Sequence, residues 1–117
     1  MSDNGCAESH IYEEQVRAAV ALLAGDETIL ALAEMFKALS DPTRLRIVSL
    51  LAETELCVCD LATALDMGQS AVSHQLRTLR DMRLVRWRRE GRRIFYALDD
   101  EHVADLLRRG LEHVGHS

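Results

Sequence analysis

Histidine and carboxylate residues recur near the end of the chain at spacings that suit a metal ion: Asp100, His102, His113 and His116. His102 and His113 lie eleven residues apart, close to three turns, so a helix places both on nearly the same face. At ~1.5 Å of rise per residue they are ~16 Å apart, whereas zinc ligands lie ~2 Å from the metal. One helix therefore cannot close this site. Two antiparallel copies can, with Asp100 and His102 of one chain facing His113 and His116 of the other.

This donor set also indicates which metal to expect. Three nitrogen donors and one carboxylate suit tetrahedral zinc and can also accept cobalt. The spacing thus favours a dimer with two symmetric sites. The alternative is a set of solvated histidines at a fraying helix end, and His116 is next to last in the chain.

A second group of donors is built around Cys57 and Cys59. Thiolates favour soft metals such as cadmium, lead and zinc. Two thiolates leave a tetrahedral site incomplete, and Cys6 and His10 can supply the rest, since positions i and i+4 share a face if that segment turns helical. The alternative is a pair of small buried core residues. Asp60 is expected to be a helix-start residue rather than a ligand.

Basic residues are concentrated in one part of an acidic chain. The 117 residues carry a net charge of −5, but residues 68–98 contain eight Arg against two acidic residues, a local charge of +6. Residues 1–67 sum to −8 and residues 99–117 to −3. Such a block predicts a surface for a polyanion. A solvated, Arg-rich face is the alternative.

Apolar periodicity and start signals predict the elements that position these residues. The strongest start signal is Asp41 followed by Pro42, an N-cap and a first helical residue. Helices are predicted over Ile11–Leu23, Asp26–Leu39, Pro42 to about Ala52, Val58–Leu65, Ser70 to about Met82, and from Asp99 or Asp100 to about Val114. Strands are predicted over Leu84–Arg89 and Arg93–Leu98, around a tight turn at Glu90-Gly91-Arg92.

The order of these elements predicts the fold class. Two short helices joined by Asp66-Met67-Gly68 form a helix-turn-helix, and the hairpin that follows is a wing. We therefore expect a mainly α fold with a small β-hairpin, a homodimeric winged helix-turn-helix. Residues 1–25 are predicted to form an N-terminal arm and first helix, 26–98 the winged DNA-binding core, and 99–117 the dimerisation and metal-binding helix.

The fifth predicted helix has an apolar and a polar face. Val72, Leu76 and Leu79 fall at i, i+4 and i+7 and are expected to be buried. The residues expected to contact base edges in the major groove are Ser70, Ser73, His74, Gln75 and Arg77. Four wing arginines are expected to grip phosphate or to enter the minor groove: Arg88, Arg89, Arg92 and Arg93. The alternative is a helix and hairpin with an ordinary polar exterior.

With these residues identified, the chain resembles the ArsR/SmtB family of metal-sensing repressors, in its zinc/cadmium-sensor branch. The matching stretches are FKALSDPTRLRIVSLL, ELCVCDLATAL, QSAVSHQLRTLRDMRLVRWRREGRRIFYAL and DDEHVADLLRRGLEHVGH. The resemblance implies a homodimer, an inverted-repeat operator and repression relieved by metal. It also implies the terminal-helix site residue by residue, although many members have Glu in place of His116. For the cysteine site it implies an arm from the partner subunit, whose second ligand is often Cys where His10 is inferred here.

These observations together predict a metal-responsive transcriptional repressor that binds double-stranded operator DNA as a dimer. Zn²⁺ is the expected metal, with Cd²⁺, Pb²⁺ or Co²⁺ as alternatives. The polar start of the chain and a longest apolar run of only Ala18–Ala24 predict a cytoplasmic protein with no membrane partner. No organic small-molecule substrate is expected.

Three other functions are alternatives for this sequence. A thiol redox sensor that uses Cys57 and Cys59 is the alternative among DNA-binding proteins. A metal buffer leaves the basic block unexplained. A metalloenzyme needs an open zinc position and a general base in a pocket, and no such arrangement is visible, so the chain is predicted not to be an enzyme.

Overall fold

The structure is a computed structural model that describes the backbone of residues 9–115 and the side chains of residues 12–115. Within that range the chain forms six helices and three strands, which confirms the mainly α fold. In chain order they are α1 Ser9–Ala21, α2 Asp26–Leu39, α3 Pro42–Leu51, β1 Leu56–Cys57, α4 Val58–Leu65, α5 Gln69–Asp81, β2 Val85–Glu90, β3 Arg93–Leu98 and α6 Glu101–Gly115. None of the helices in this range is long and apolar enough to cross a membrane.

The chain divides into two compact units, residues 1–32 and residues 33–117. In the first unit the apolar side chains of Val16, Val20, Leu23 and Leu30 are exposed. The second unit contains the helix-turn-helix, the sheet and α6.

Local signals begin and end the central helices. The Asp41 carboxylate accepts a hydrogen bond of 3.0 Å from the backbone N–H of Arg44, and Pro42 follows at the first helical position, so α3 begins where the sequence predicts. Asp66 ends α4 in the left-handed conformation, with φ 56°. Gly68 is the N-cap of α5, which therefore starts at Gln69, one residue before the predicted Ser70.

The wing is an antiparallel hairpin in which Glu90 of β2 pairs with Arg93 of β3. Only two residues remain for the turn, and Gly91 supplies the positive φ of 64° that such a turn needs. β1 is an element that the sequence did not predict. Its two residues pair with Tyr96 and Phe95 of β3, which gives the sheet order β1-β3-β2. Two residues are too few to produce an alternating apolar pattern.

The hydrophobic core of the second unit lies beneath α5. Val72, Leu76 and Leu79 are fully buried, as their spacing predicts, and they join Ile47 and Leu61 in one cluster. No polar or charged residue is buried among the described residues. The core therefore fixes the orientation of α5 by apolar packing and leaves its polar face outside.

Candidate nucleic-acid interface and metal sites

The polar face of α5 carries the residues predicted to contact bases. Ser70, His74 and Arg77 are exposed, and Ser73 is half-buried. Because the opposite face is fully buried, these side chains are held on one surface of a rigid helix. Their contact with bases stays a prediction, but their exposure satisfies its first requirement.

Gln75 is held by a residue that the sequence did not single out. The Nη1 group of Arg44 donates to Oε1 of Gln75 at 3.2 Å, while its Nε group donates to the Ala38 carbonyl at 2.7 Å. One guanidinium thus connects the end of α2, the start of α3 and the middle of α5. Arg44 and Gln75 are 31 residues apart, and no local pattern reveals such a contact.

Arg88, one of the four predicted wing arginines, is engaged by carboxylates of its own chain. Its Nη2 and Nε groups donate to Oε1 of Glu55 at 2.8 and 3.1 Å, and Nη1 donates to Glu90 at 3.0 Å. The hydrogen bond from Arg88 lowers the pKa of Glu55, and the same contact raises the pKa of Arg88. Both side chains are roughly half exposed, so this pair contributes little to stability.

Arg93 is engaged by the cysteine region. Its Nη2 group donates to Sγ of Cys57 at 3.1 Å and lies 3.6 Å from Oδ2 of Asp60. The hydrogen bond to Cys57 raises the pKa of Arg93. Arg89 and Arg92 are exposed and have no ion pair or side-chain hydrogen bond within the described part of the chain. Of the four predicted wing arginines, two therefore have partners in their own chain and two have none among the described residues. Arg86 of β2, which the sequence did not single out, donates to the carbonyls of Leu98 and Asp99 at 3.0 and 2.7 Å.

Trp87 of β2 and Arg80 of α5 form a further contact that the sequence did not predict. The Arg80 guanidinium lies 5.4 Å from the ring centroid of Trp87, which is 41% exposed. Such a stack joins the last turn of α5 to β2. An arginine in the last turn of a helix and an aromatic residue in the next strand are the only sequence signals for it.

Cys57 and Cys59 lie at the start of α4 and are both free thiols. Cys57 is the N-cap residue and is buried, whereas Cys59 is exposed. The Nε2 group of Gln69, the first residue of α5, donates to Sγ of Cys59 at 3.3 Å. The proposed companion Cys6 and the side chain of His10 lie outside the described residues.

Asp100 has two partners in the first turn of α6. Its carboxylate accepts hydrogen bonds from the backbone N–H of His102 at 2.9 Å and of Val103 at 3.3 Å. Partial desolvation raises the pKa of Asp100, but the N–H groups of Val103 and His102 and the His102 imidazole outweigh it, so the pKa is lowered overall. Asp100 thus starts the helix and stays ionised.

The terminal-helix donors divide into separate groups. Nδ1 of His102 lies 3.5 Å from Oδ2 of Asp100, and the His102 side chain is 93% exposed. His113 is exposed in the last turn of the same helix, and His116 lies outside the described residues. Among the residues described in one chain, no group of three or more metal-binding side chains is close enough to hold an ion. An adjacent carboxylate and imidazole fit half of a zinc site.

Comparison with known proteins adds to this geometry. Residues 41–86 match the family described as bacterial regulatory protein, arsR family. The chain is 47% identical over 112 residues to a transcriptional repressor SmtB homolog of Synechocystis sp., which covers 96% of this chain and 85% of that protein. It is 39% identical over 114 residues to a cadmium resistance transcriptional regulatory protein CadC homolog of Staphylococcus aureus, which covers 97% and 93%.

The fold is also similar to a solved structure. The homodimeric winged helix-turn-helix DNA-binding domain Mb0332 of Mycobacterium bovis matches with a TM-score of 0.70 and 35% identity, over 81% of this chain and 96% of that one. This similarity confirms the expected winged helix-turn-helix fold. The similarity in sequence extends over nearly the whole chain and includes both the recognition helix and the wing. The chain therefore belongs to the arsR family of bacterial regulatory proteins.

Proposed function

We propose that this chain is a metal-responsive repressor that binds an inverted-repeat operator as a homodimer and releases it when zinc or a similar divalent metal binds. The observation that carries the proposal is the surface of α5 and the wing. Exposed His74 and Arg77 lie on a helix whose other face is fully buried, and exposed Arg89 and Arg92 follow on the wing. A rigid, basic, polar helix beside a basic hairpin is what major-groove recognition requires.

The two elements divide the recognition of DNA. Side chains of α5 contact the base edges. These side chains are Ser70, Ser73, His74, Gln75 and Arg77. Gln75 presents its amide nitrogen, since its oxygen already accepts from Arg44. Arg89 and Arg92 contact phosphate or enter the minor groove, and Arg88 and Arg93 must first leave their partners in the chain to do the same.

An apolar groove in the second unit supports the dimer. It has a volume of about 490 Å³ between the end of α2, α3 and α6, with Phe36, Leu39 and Leu107 among its lining residues. Leu111 and Val114 on α6 are 58% and 78% exposed. Several exposed apolar side chains that lie together on one face favour burial of that face against another protein. A second copy is the partner because the terminal-helix donors need one.

Metal binds at two types of site in this proposal. Asp100 and His102 of one subunit join His113 and His116 of the other, and Cys57 and Cys59 join Cys6 and His10. Zn²⁺ is the expected ion, and Cd²⁺, Pb²⁺ or Co²⁺ are the other candidates. One relative carries cadmium resistance in its name, which agrees with soft-metal binding. The proposal places the protein in the cytoplasm and includes no enzymatic reaction, membrane partner or organic substrate.

The test measures DNA binding as a function of metal. A labelled duplex selected from a random-sequence library by the metal-free protein is titrated in chelator and then with each metal. We expect tight binding that weakens as salt rises, because phosphate contacts release counterions. Metal lowers the affinity about 5- to 150-fold, the usual range of such coupling, and chelator restores it. Binding that is identical with and without all four metals overturns the metal-responsive function.

A thiol redox sensor is the second candidate, and one observation favours it. Both thiols are free, and each accepts a hydrogen bond from a DNA-binding element. The two functions separate when operator release is measured after a thiol oxidant in the presence of chelator. Release under those conditions, reversed by a reductant, supports redox sensing, whereas release by metal alone supports metal sensing.

A further inference from the structure

Gln69 joins the cysteine region to the recognition helix. Its Nε2 group donates to Sγ of Cys59 at 3.3 Å, and both side chains are exposed. Gln69 is the first residue of α5, next to Ser70 on the proposed DNA-reading face. Cys59 lies in the first turn of α4, ten residues earlier in the chain. The contact therefore spans the helix-turn-helix from one helix start to the other.

This contact depends on where the sulfur atom lies. In the free protein Sγ of Cys59 accepts from Gln69 at 3.3 Å, and both side chains are exposed, so no packing fixes either of them. A metal ion bound at Cys59 would fix the position of Sγ and occupy one of its lone pairs, so the acceptor offered to Gln69 would change. A contact that differs between the free and the loaded state is what allows one site to affect another.

We propose that Gln69 is the positioning residue through which occupancy of the Cys57 and Cys59 site reaches the recognition helix. This inference rests on the proposed function and deepens it. Gln75, six residues later on the same helix, provides an internal contrast because it bonds Arg44 and no sulfur. The two glutamines share chemistry and helix but differ in their connection to the metal site.

The experiment measures coupling rather than affinity alone. Wild type, Gln69→Ala and Gln75→Ala are each prepared with His102→Ala, so that Cd²⁺ acts only at the cysteine site. Cadmium affinity is read from the ultraviolet thiolate-to-metal band, and operator affinity is measured in chelator and in saturating Cd²⁺. The ratio of the two operator affinities is the coupling, and it cancels any direct loss of a DNA contact.

We expect Gln69→Ala to keep the band and to bind Cd²⁺ within about threefold of the parent, while its coupling ratio falls from the usual range of about 5- to 150-fold to below about threefold. Gln75→Ala changes operator affinity but keeps the parental ratio. Gln69→Glu, which keeps the length but places an acceptor beside the sulfur, loses coupling as well.

Three results overturn the proposal, and they differ in which part of the proposed function they overturn with it. A Gln69→Ala ratio equal to the parent's removes the role of Gln69 alone. A cadmium band with no coupling in the parent shows that this site is not regulatory, and metal-dependent release through the terminal-helix site stands. If no thiolate-to-metal band forms in the parent, the cysteine site of the proposed function fails with it.

Discussion

The two candidate metal regions differ in how they are attached to the DNA-binding elements. Both sulfur atoms of the cysteine region accept hydrogen bonds from those elements, Cys57 from Arg93 of β3 and Cys59 from Gln69 of α5. In the terminal-helix region, Asp100 bonds its own helix and the His102 side chain is 93% exposed. The two cysteines therefore bond DNA-binding elements of their own chain, whereas the described contacts of Asp100 and His102 stay within the first turn of α6.

The chemistry of the donors reinforces this difference. Thiolates select soft ions, and imidazole with carboxylate suits zinc and cobalt. Two sites of different softness on one protein can respond to different metals. The connection of each site to DNA then decides which metal acts as the regulatory signal.

The largest effect is expected from subunit complementation at the terminal-helix region. His102→Ala and His113→Ala chains each form homodimers in which both sites are damaged, and neither is expected to bind zinc tightly. A mixture forms heterodimers with one intact and one doubly broken site. Zinc titration should then recover one tight equivalent per heterodimer, more than about 100-fold tighter than in either homodimer, since losing a direct ligand exceeds the cost of losing an outer partner.

All chains in this titration also carry Cys57→Ser and Cys59→Ser, so that thiolates do not bind the added metal. Cobalt should give the intense visible bands of tetrahedral geometry in the mixture alone. A mixture that recovers no tight equivalent means that the histidines are surface residues. The cysteine region would then be the one remaining candidate metal site among those proposed.

The second effect concerns the cysteine region itself. Cys57→Ser and Cys59→Ser should each abolish the ultraviolet charge-transfer band with Cd²⁺, because a hydroxyl is a poor ligand for a soft ion. Cys6→Ser should weaken the band without abolishing it. His102→Ala is the matched control and should leave the band intact. Persistence of the band in the Cys57/Cys59 double variant excludes ligation by the Cys-x-Cys segment.

The third effect separates the two roles of Asp100. Asp100→Asn keeps an acceptor for the N–H groups of His102 and Val103 but removes the charge, whereas Asp100→Ala removes both. Both variants should bind zinc about 10- to 100-fold more weakly. Asp100→Ala should lose several degrees of thermal stability, and Asp100→Asn, which loses only the charge, should lose a smaller amount. Zinc affinity that is unchanged in Asp100→Asn means that Asp100 is a helix cap and no ligand.

The lowered pKa of Asp100 also fixes the pH range of its contribution. The pKa of Asp100 in the folded protein is lower than the ~3.9 of an unperturbed Asp. The stabilising effect of its carboxylate is therefore fully present above pH ~3.9 and is lost as the pH falls through the lower pKa of the folded state. Thermal scans of wild type and Asp100→Asn should therefore differ by a constant amount at neutral pH. The difference should shrink only below about pH 4.

The sequence predicted the local architecture because its signals are local. Asp41-Pro42 starts α3, Asp66 to Gly68 forms the turn before α5, and Gly91 turns the hairpin. Contacts between distant positions left no such signal. Arg44 meets Gln75 across 31 residues and Arg93 meets Cys57 across 36, so packing alone brings them together.

The same limit applies to the candidate sites. The residue types predicted which chemistry was available, but they did not predict that two of the four wing arginines are already engaged. Nor did they predict the two-residue β1, which pairs Cys57 with Phe95 and so ties the cysteine region to the wing. Side-chain partners depend on tertiary packing, and helical or strand periodicity carries no information about them.

The smallest effect is expected from two neighbouring arginines that differ in their contacts within the chain. Arg92 has no partner in the described part of the chain, whereas Arg93 bonds Cys57 and lies near Asp60. Arg92→Ala should weaken operator binding about threefold for all sequences and lower the salt slope by about 1.8, because the dimer loses one phosphate contact from each subunit. Its affinity for Cd²⁺ should be unchanged.

Arg93→Ala should show the opposite pattern. Its salt slope should stay near that of wild type, because a guanidinium committed to Cys57 and Asp60 is not free to neutralise a phosphate. Cadmium affinity should fall, at most about tenfold, since Arg93 holds the Cys57 side chain in place as an outer partner of the proposed site. Fluorescence anisotropy at several salt concentrations and the cadmium band measure the two effects on the same samples. Equal salt slopes for both variants would mean that Arg93 leaves the cysteine region when DNA binds, and the separation between the metal region and the phosphate-binding wing would then hold only in the free protein.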